Sequence, residues 1–181
     1  MIRLILAATL GASYGIYGPP FELCENRPRE QGSEEYLDSE KYQIRTFDLQ
    51  APGNLGELIT RINGLRRDNP ALQSDWSLVF HRTDNDQFLV YSKVSEDRTN
   101  LILVAVNLDY RFTHHGWTDL NLDALGIAPD EKYQVHDLLT DARYVWRGRH
   151  NYLELNPHAL PAHIFRVGRY LRTENNFDYF T

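Results

Sequence analysis

What this sequence lacks narrows the field first. It has one cysteine, Cys24, so no disulfide can form within the chain. No apolar run reaches the ~20 residues that a membrane-crossing helix requires. No Asn-x-Ser/Thr acceptor for N-glycosylation occurs in its 181 residues. Basic residues are the minority, 19 Lys and Arg against 25 Asp and Glu, and the net charge of −6 argues against nucleic acid as a partner. There is no Gly-rich phosphate loop and no Ser/His/Asp arrangement for acyl transfer. His114, His115, His136, His150, His158 and His163 lack Cys or Glu companions at metal-ligand spacing. They read as surface or strand histidines, and neither a metal nor a cofactor is expected. Asp84-Asn85-Asp86 lacks the glycine and distal glutamate of a calcium loop and reads as a hairpin turn. Asp137, Asp141 and Glu154 are scattered and suggest no acid/base pair.

What is present describes a globular chain. Hydrophobic residues make up 42% and charged residues 24%, and the length fits one domain, or one domain plus part of another. Leu101–Leu108 is a short, continuous, β-branched apolar run, which reads as a strand buried on both faces. Further strand-like pieces are Ser77–His81, Gln87–Ser92, Tyr133–Asp137, Arg143–Arg147, Asn151–Leu155 and His163–Val167, separated by turn residues. Many short strands at this spacing predict an antiparallel β-sandwich. Trp76, Trp117 and Trp146 offer a sugar-stacking platform as one reading and core or edge packing as the other.

The N-terminal third reads differently. Met1-Ile2-Arg3 followed by Leu4–Leu10 has the look of a secretory signal. The competing reading is a buried helix leading into a strand, Tyr14–Tyr17. Cys24–Asp48 is a long, polar, acidic loop with aromatics spaced through it. Leu55, Leu58, Ile59, Ile62 and Leu65 then form one helical stripe, with Asn54 and Glu57 placed to cap it and Arg66 and Arg67 in its last turn. Asn69-Pro70 ends that helix. Its stripe needs a partner layer, and the expected sandwich does not provide an obvious one.

Several segments together resemble one family. They are Ala7–Leu10, Ser13-Tyr14-Gly15-Ile16-Tyr17-Gly18-Pro19, Phe21-Glu22-Leu23 and Glu35-Tyr36-Leu37-Asp38-Ser39-Glu40-Lys41-Tyr42. With them go Leu65–Leu72, Asp137-Leu138-Leu139-Thr140, Tyr144 to Gly148, Asn151-Tyr152 and Pro161–Val167. The series resembles the C-terminal third of the maltose-1-phosphate-dependent α-1,4-glucan maltosyltransferases of the α-amylase superfamily. The resemblance implies a mainly β chain: residues 1–73 as the last strand, active-site loop and last helix of a truncated (β/α)8 barrel, and residues 74–181 as the C-terminal antiparallel β-sandwich. It favours the helix-and-strand reading of the N-terminus over the signal, and a cytoplasmic location. It implies maltose 1-phosphate and an α-1,4-glucan as substrates of the complete enzyme, the missing barrel portion as a partner, and a homodimeric parent.

In such retaining chemistry a carboxylate nucleophile and an acid/base carboxyl stand about 5–5.5 Å apart. The family carries these groups on earlier barrel strands, and Glu22, Glu35, Asp38 and Glu40 match none of them. No catalytic residue is therefore expected here, and the chain alone is expected to be inactive. Lys41 and Tyr42 are the positions that match the family's substrate pocket, the ammonium donating to sugar hydroxyls and the ring offering a flat face. The surrounding Met1–Asp48 is expected to be loosely held for want of barrel neighbours.

Overall fold

The computed structural model describes residues 1–38 and 44–169. Its helices are α1 (Ile2–Leu10), α2 (Gly18–Glu22), α3 (Gly56–Asp68) and the short α4 (Leu122–Leu125), with a 3-10 turn at Pro70–Gln73. Its strands are β1 (Val79–Thr83), β2 (Phe88–Val94), β3 (Leu101–Asn107), β4 (His114–Asp119), β5 (Lys132–Asp137), β6 (Arg143–Arg147), β7 (His150–Leu155) and β8 (Ala162–Arg169).

All pairings are antiparallel, in the order β6-β5-β8-β3-β2-β1-β4-β7, and the two end strands β6 and β7 come into contact. The sheet folds over at β1, whose Val79–His81 pair with β2 while Arg82 and Thr83 pair with β4. That turn lays β4 and β7 over the inner face of β2, β3, β8 and β5, giving the expected sandwich.

The apolar run of β3 has a clear physical origin. Leu101, Leu103 and Ala105 point into the sandwich beside Phe88, Val90, Val135, Leu153, Leu155 and Phe165. Ile102, Val104 and Val106 point the other way, into a second cluster with Leu4, Ile5, Ala8, Ile62, Leu72 and Ile164. A strand covered on both faces has no polar side to alternate with. Each fully buried Leu, Ile or Val side chain there contributes roughly 1.5–3 kcal/mol.

The second cluster corrects two expectations. The α3 stripe finds its partner layer within this chain: Ile62 is fully buried, and Leu58, Ile59 and Leu65 pack beside α1 and the outer face of the sheet. For the same reason α1 is not loosely held, since Leu4, Ile5, Ala8 and Thr9 are all buried. Residues 13–17, in contrast, form no strand, and no neighbouring strand pairs with them among the described residues. A strand needs that partner to satisfy its backbone groups. Strand β4 was absent from the sequence reading altogether.

Candidate functional site

Lys41 and Tyr42 lie outside the described residues, so the site is built from what surrounds them. The loop from Gly18 to Gly53 is tied down at several points. Its base is closed by Leu55 N–H donating to the Glu22 carbonyl at 2.8 Å. Pro28 and Tyr36 form an isolated bridge, and Leu37 N–H donates to the Arg27 carbonyl at 2.8 Å. Tyr17 meets Tyr36 edge to face, with ring centroids 5.5 Å apart. Arg45 reaches the Glu25 carboxylate at 2.8 Å and lies over the Phe47 ring. Asp38 and Arg45, which flank the undescribed stretch, line one cavity of about 370 Å³ with Cys24, Asn26, Tyr36 and Leu37. A larger cavity, about 1130 Å³, lies between Leu49–Asn54, the N-terminal half of α3, Leu139 and Leu160, with Glu22, Glu57 and Arg61 as its ionisable lining.

Two cations hold the element that leads into this loop. Helix α1 has no side-chain cap of its own. Its final carbonyls are instead met by Arg66 of α3, which donates to Ala8, Gly11 (3.1 Å) and Ala12 (2.6 Å) and also to Leu72 (3.3 Å). Lys93 of β2 donates to the Leu10 carbonyl at 2.8 Å and pairs with Asp75 at 3.0 Å, although its side chain is only 1% exposed. Both charges sit where the helix dipole favours them. The sequence placed Arg66 at the end of its own helix; it serves the neighbouring one. Asn54 was expected at the N-cap of α3 with Glu57 as its partner. Leu55 stands there instead, without a side-chain cap, and Asn54, one residue earlier, accepts from Gly56 N–H through Oδ1 at 2.8 Å.

The Asp137 carboxylate fastens β5 to β8. It is fully buried and accepts from His163 Nδ1 (2.9 Å), Thr140 Oγ1 (2.6 Å), and the Leu139 and Ile164 N–H groups (3.1 and 3.3 Å). Burial alone would raise its pKa, but these hydrogen bonds together hold the carboxyl below the ordinary range. Asp141 lies against His136, so two of the three scattered acids have histidine partners. His81 is buried. Its Nδ1 accepts from Asn121 N–H at 3.1 Å and its Nε2 faces Ser92 Oγ at 2.9 Å, and burial lowers its pKa to about 4 despite Asp119 nearby. Among the described residues no cluster of His, Cys, Asp and Glu is placed to hold a metal ion. None of their helices is long and apolar enough to cross a membrane.

The three tryptophans do not share a face. Trp146 packs against the sandwich core, 5.3 Å from the Phe165 ring. Trp76 stands apart beside Pro70 and Gln73. Trp117 is 51% exposed and is joined instead by Tyr152 and His115, residues the sequence reading did not select as ring partners. The available signal was the alternation in His114–Asp119 and His150–Leu155, which puts all three rings on one outer face.

Residues 80–167 match the family model described as "GLGE, C-terminal". An α-1,4-glucan:maltose-1-phosphate maltosyltransferase of Chlorobaculum tepidum is 47% identical over 173 residues, covering 92% of this chain and 26% of the relative. Its namesake from Myxococcus xanthus is 44% identical over 179 residues, covering 99% of this chain and 26% of the relative. The chain thus spans about a quarter of the length of these curated relatives. In fold it is similar to an α-amylase of Geobacillus thermoleovorans solved with acarbose, with a TM-score of 0.51 at 20% identity over 69% of this chain and 25% of that one. By sequence, the chain is similar along nearly its whole length to part of the α-1,4-glucan:maltose-1-phosphate maltosyltransferases, and residues 80–167 match the model of their C-terminal portion.

Proposed function

We propose that the chain serves an enzyme that transfers maltosyl units from maltose 1-phosphate to the non-reducing end of an α-1,4-glucan. A carboxylate attacks the anomeric carbon, the bond from that carbon to the phosphate oxygen breaks, and phosphate leaves with the electron pair. The acceptor's 4-hydroxyl then attacks the same carbon, its proton passes to a second carboxylate, and the configuration is retained. Both carboxyl groups come from outside this chain's residues, on barrel strands that dock against α1 and α3. Residues 1–73 complete that barrel and residues 74–181 brace it.

Within this division of labour, Lys41 and Tyr42 hold the donor's maltosyl unit. The braced helices α1 and α3 flank the segment that carries them. A sugar phosphate as donor puts the reaction in the cytoplasm, and the parent enzyme is a homodimer. The observation that carries this reading is the 47% identity, across 92% of the chain, to a relative of that name.

The test is to incubate the complete protein with maltose 1-phosphate and maltohexaose. Phosphate should appear in step with products longer by two glucose units, and this chain alone should release none. Phosphate release without elongation would show a hydrolase and overturn the reading.

A further inference from the structure

The outer face of β4 and β7 carries an array that the maltosyl reaction does not use. Register puts Trp117 directly across from Tyr152, His115 across from Glu154 and Asp119 across from His150. Trp117 and Tyr152 are about half exposed, 51% and 47%, on neighbouring strands. Their centroids are 5.6 Å apart with the planes at 69°, and His115 stacks on Tyr152 at 6.2 Å and 30°. The rings therefore form an angled cradle flanked by hydrogen-bonding groups, with Glu154 at one end and Asp119, Arg149 and His150 at the other.

We propose that this cradle binds a segment of an α-1,4-glucan chain. Aromatic faces suit the C–H faces of pyranose rings, and the flanking carboxylates and imidazoles suit hydroxyls as acceptors and donors. The angle between the rings separates the candidate sugars. Coplanar rings fit a flat β-linked ribbon, whereas rings inclined at 69° follow the curve of an α-1,4-linked chain. Charge points the same way. Glu154 and Asp119 are offset by Arg149, 3.4 Å from Asp119, and by Arg82, paired in register with Asp119. A locally neutral, hydrogen-bonding surface fits a neutral polyhydroxyl ligand better than a charged polymer.

The strand under the cradle is also fixed in advance. Trp117 N–H donates to Asp84 Oδ1 at 2.7 Å, and Asn85 Nδ2 donates to the His115 carbonyl at 2.9 Å. Gly116 permits this approach, since a Cβ there would stand 2.6 Å from Asp84 Oδ1. A platform already held in its binding geometry loses little freedom when a ligand arrives.

The proposal rests on the α-glucan reading above, but its test contains no maltose 1-phosphate, so the two fail separately. The purified 181-residue chain is run on native gels containing amylose or hydroxyethylcellulose. Amylose should slow it and hydroxyethylcellulose should not. Trp117→Ala and Tyr152→Ala should each weaken the apparent amylose affinity about tenfold or more, as expected for the central aromatics of a contact. Trp76→Ala should leave it unchanged. Trp117→Phe, which keeps a ring, guards against a folding defect and should retain part of the affinity. Equal migration with and without amylose, or retardation that survives both alanine variants, overturns the proposal. So does retardation by both polymers, and so does self-association of the chain that Trp117→Ala abolishes without any glucan effect.

Discussion

His81 makes the stability of this fold depend on pH in a range where most proteins are indifferent. Its ring is 8% exposed, and its Nδ1 is committed as an acceptor to the Asn121 N–H. Protonation would turn that acceptor into a second donor facing a donor, inside a low-dielectric site. The folded-state pKa is accordingly lowered by burial to about 4, against an ordinary value of 6.5. Above pH 6.5 both states are neutral and nothing is lost. As pH falls below 6.5 the unfolded chain takes up a proton that the folded chain refuses, so stability declines by up to about 1.4 kcal/mol per pH unit. The decline levels off near pH 4, after a total of about 3 kcal/mol, a large part of a typical folding free energy. Urea unfolding followed by circular dichroism at pH 7, 6, 5 and 4.5 measures that slope. His81→Gln should start less stable at pH 7 yet lose about 1.4 kcal/mol less per pH unit between 6 and 4.5. Parallel slopes for the two proteins would refute the assignment of a buried neutral imidazole.

Two further outcomes follow from the outer core cluster. Val104→Asp places a charge on a side chain that is 1% exposed between the sheet and the helices; it should cost at least about 3–5 kcal/mol and abolish cooperative unfolding in circular dichroism. Arg66→Ala removes the donors to Ala8, Gly11 and Ala12, at about 1.5–3 kcal/mol for charged hydrogen bonds. Hydrogen exchange should then speed up in α1 while β3 stays protected, and uniform acceleration across both would contradict a local cap.

How much of this was legible depends on the range of the signal. The β3 strand was plain because burial on two faces removes all polarity from a short run, and the α3 stripe was plain because its period is local. Strand β4 was not, since His114, His115 and Gly116 carry little strand preference and only its alternation betrays it. Lys93 reads as a surface residue in sequence. Its partner, the Leu10 carbonyl, lies 83 residues away and becomes visible only when α1 is laid on the sheet. The same holds for Asp137 with His163 and for Trp117 with Tyr152, pairs that strand register alone creates. At the candidate site, the Glu35–Tyr42 segment carried the family resemblance, while the tethers around it came from the fold.

The assignment of Lys41 and Tyr42 to the donor sugar is tested most directly by kinetics of the complete enzyme. Lys41→Ala should lower kcat/KM for maltose 1-phosphate by roughly ten- to a hundred-fold, the equivalent of one or more hydrogen bonds from a charged donor. Tyr42→Phe should cost less than Tyr42→Ala, because the ring's contact survives. Arg29→Ala, which removes an exposed ion pair with Glu35, is the control and should change little. If Lys41→Ala and Tyr42→Ala both leave kcat/KM within about twofold, well under the factor of ten that 1.4 kcal/mol represents, the loop does not hold the donor.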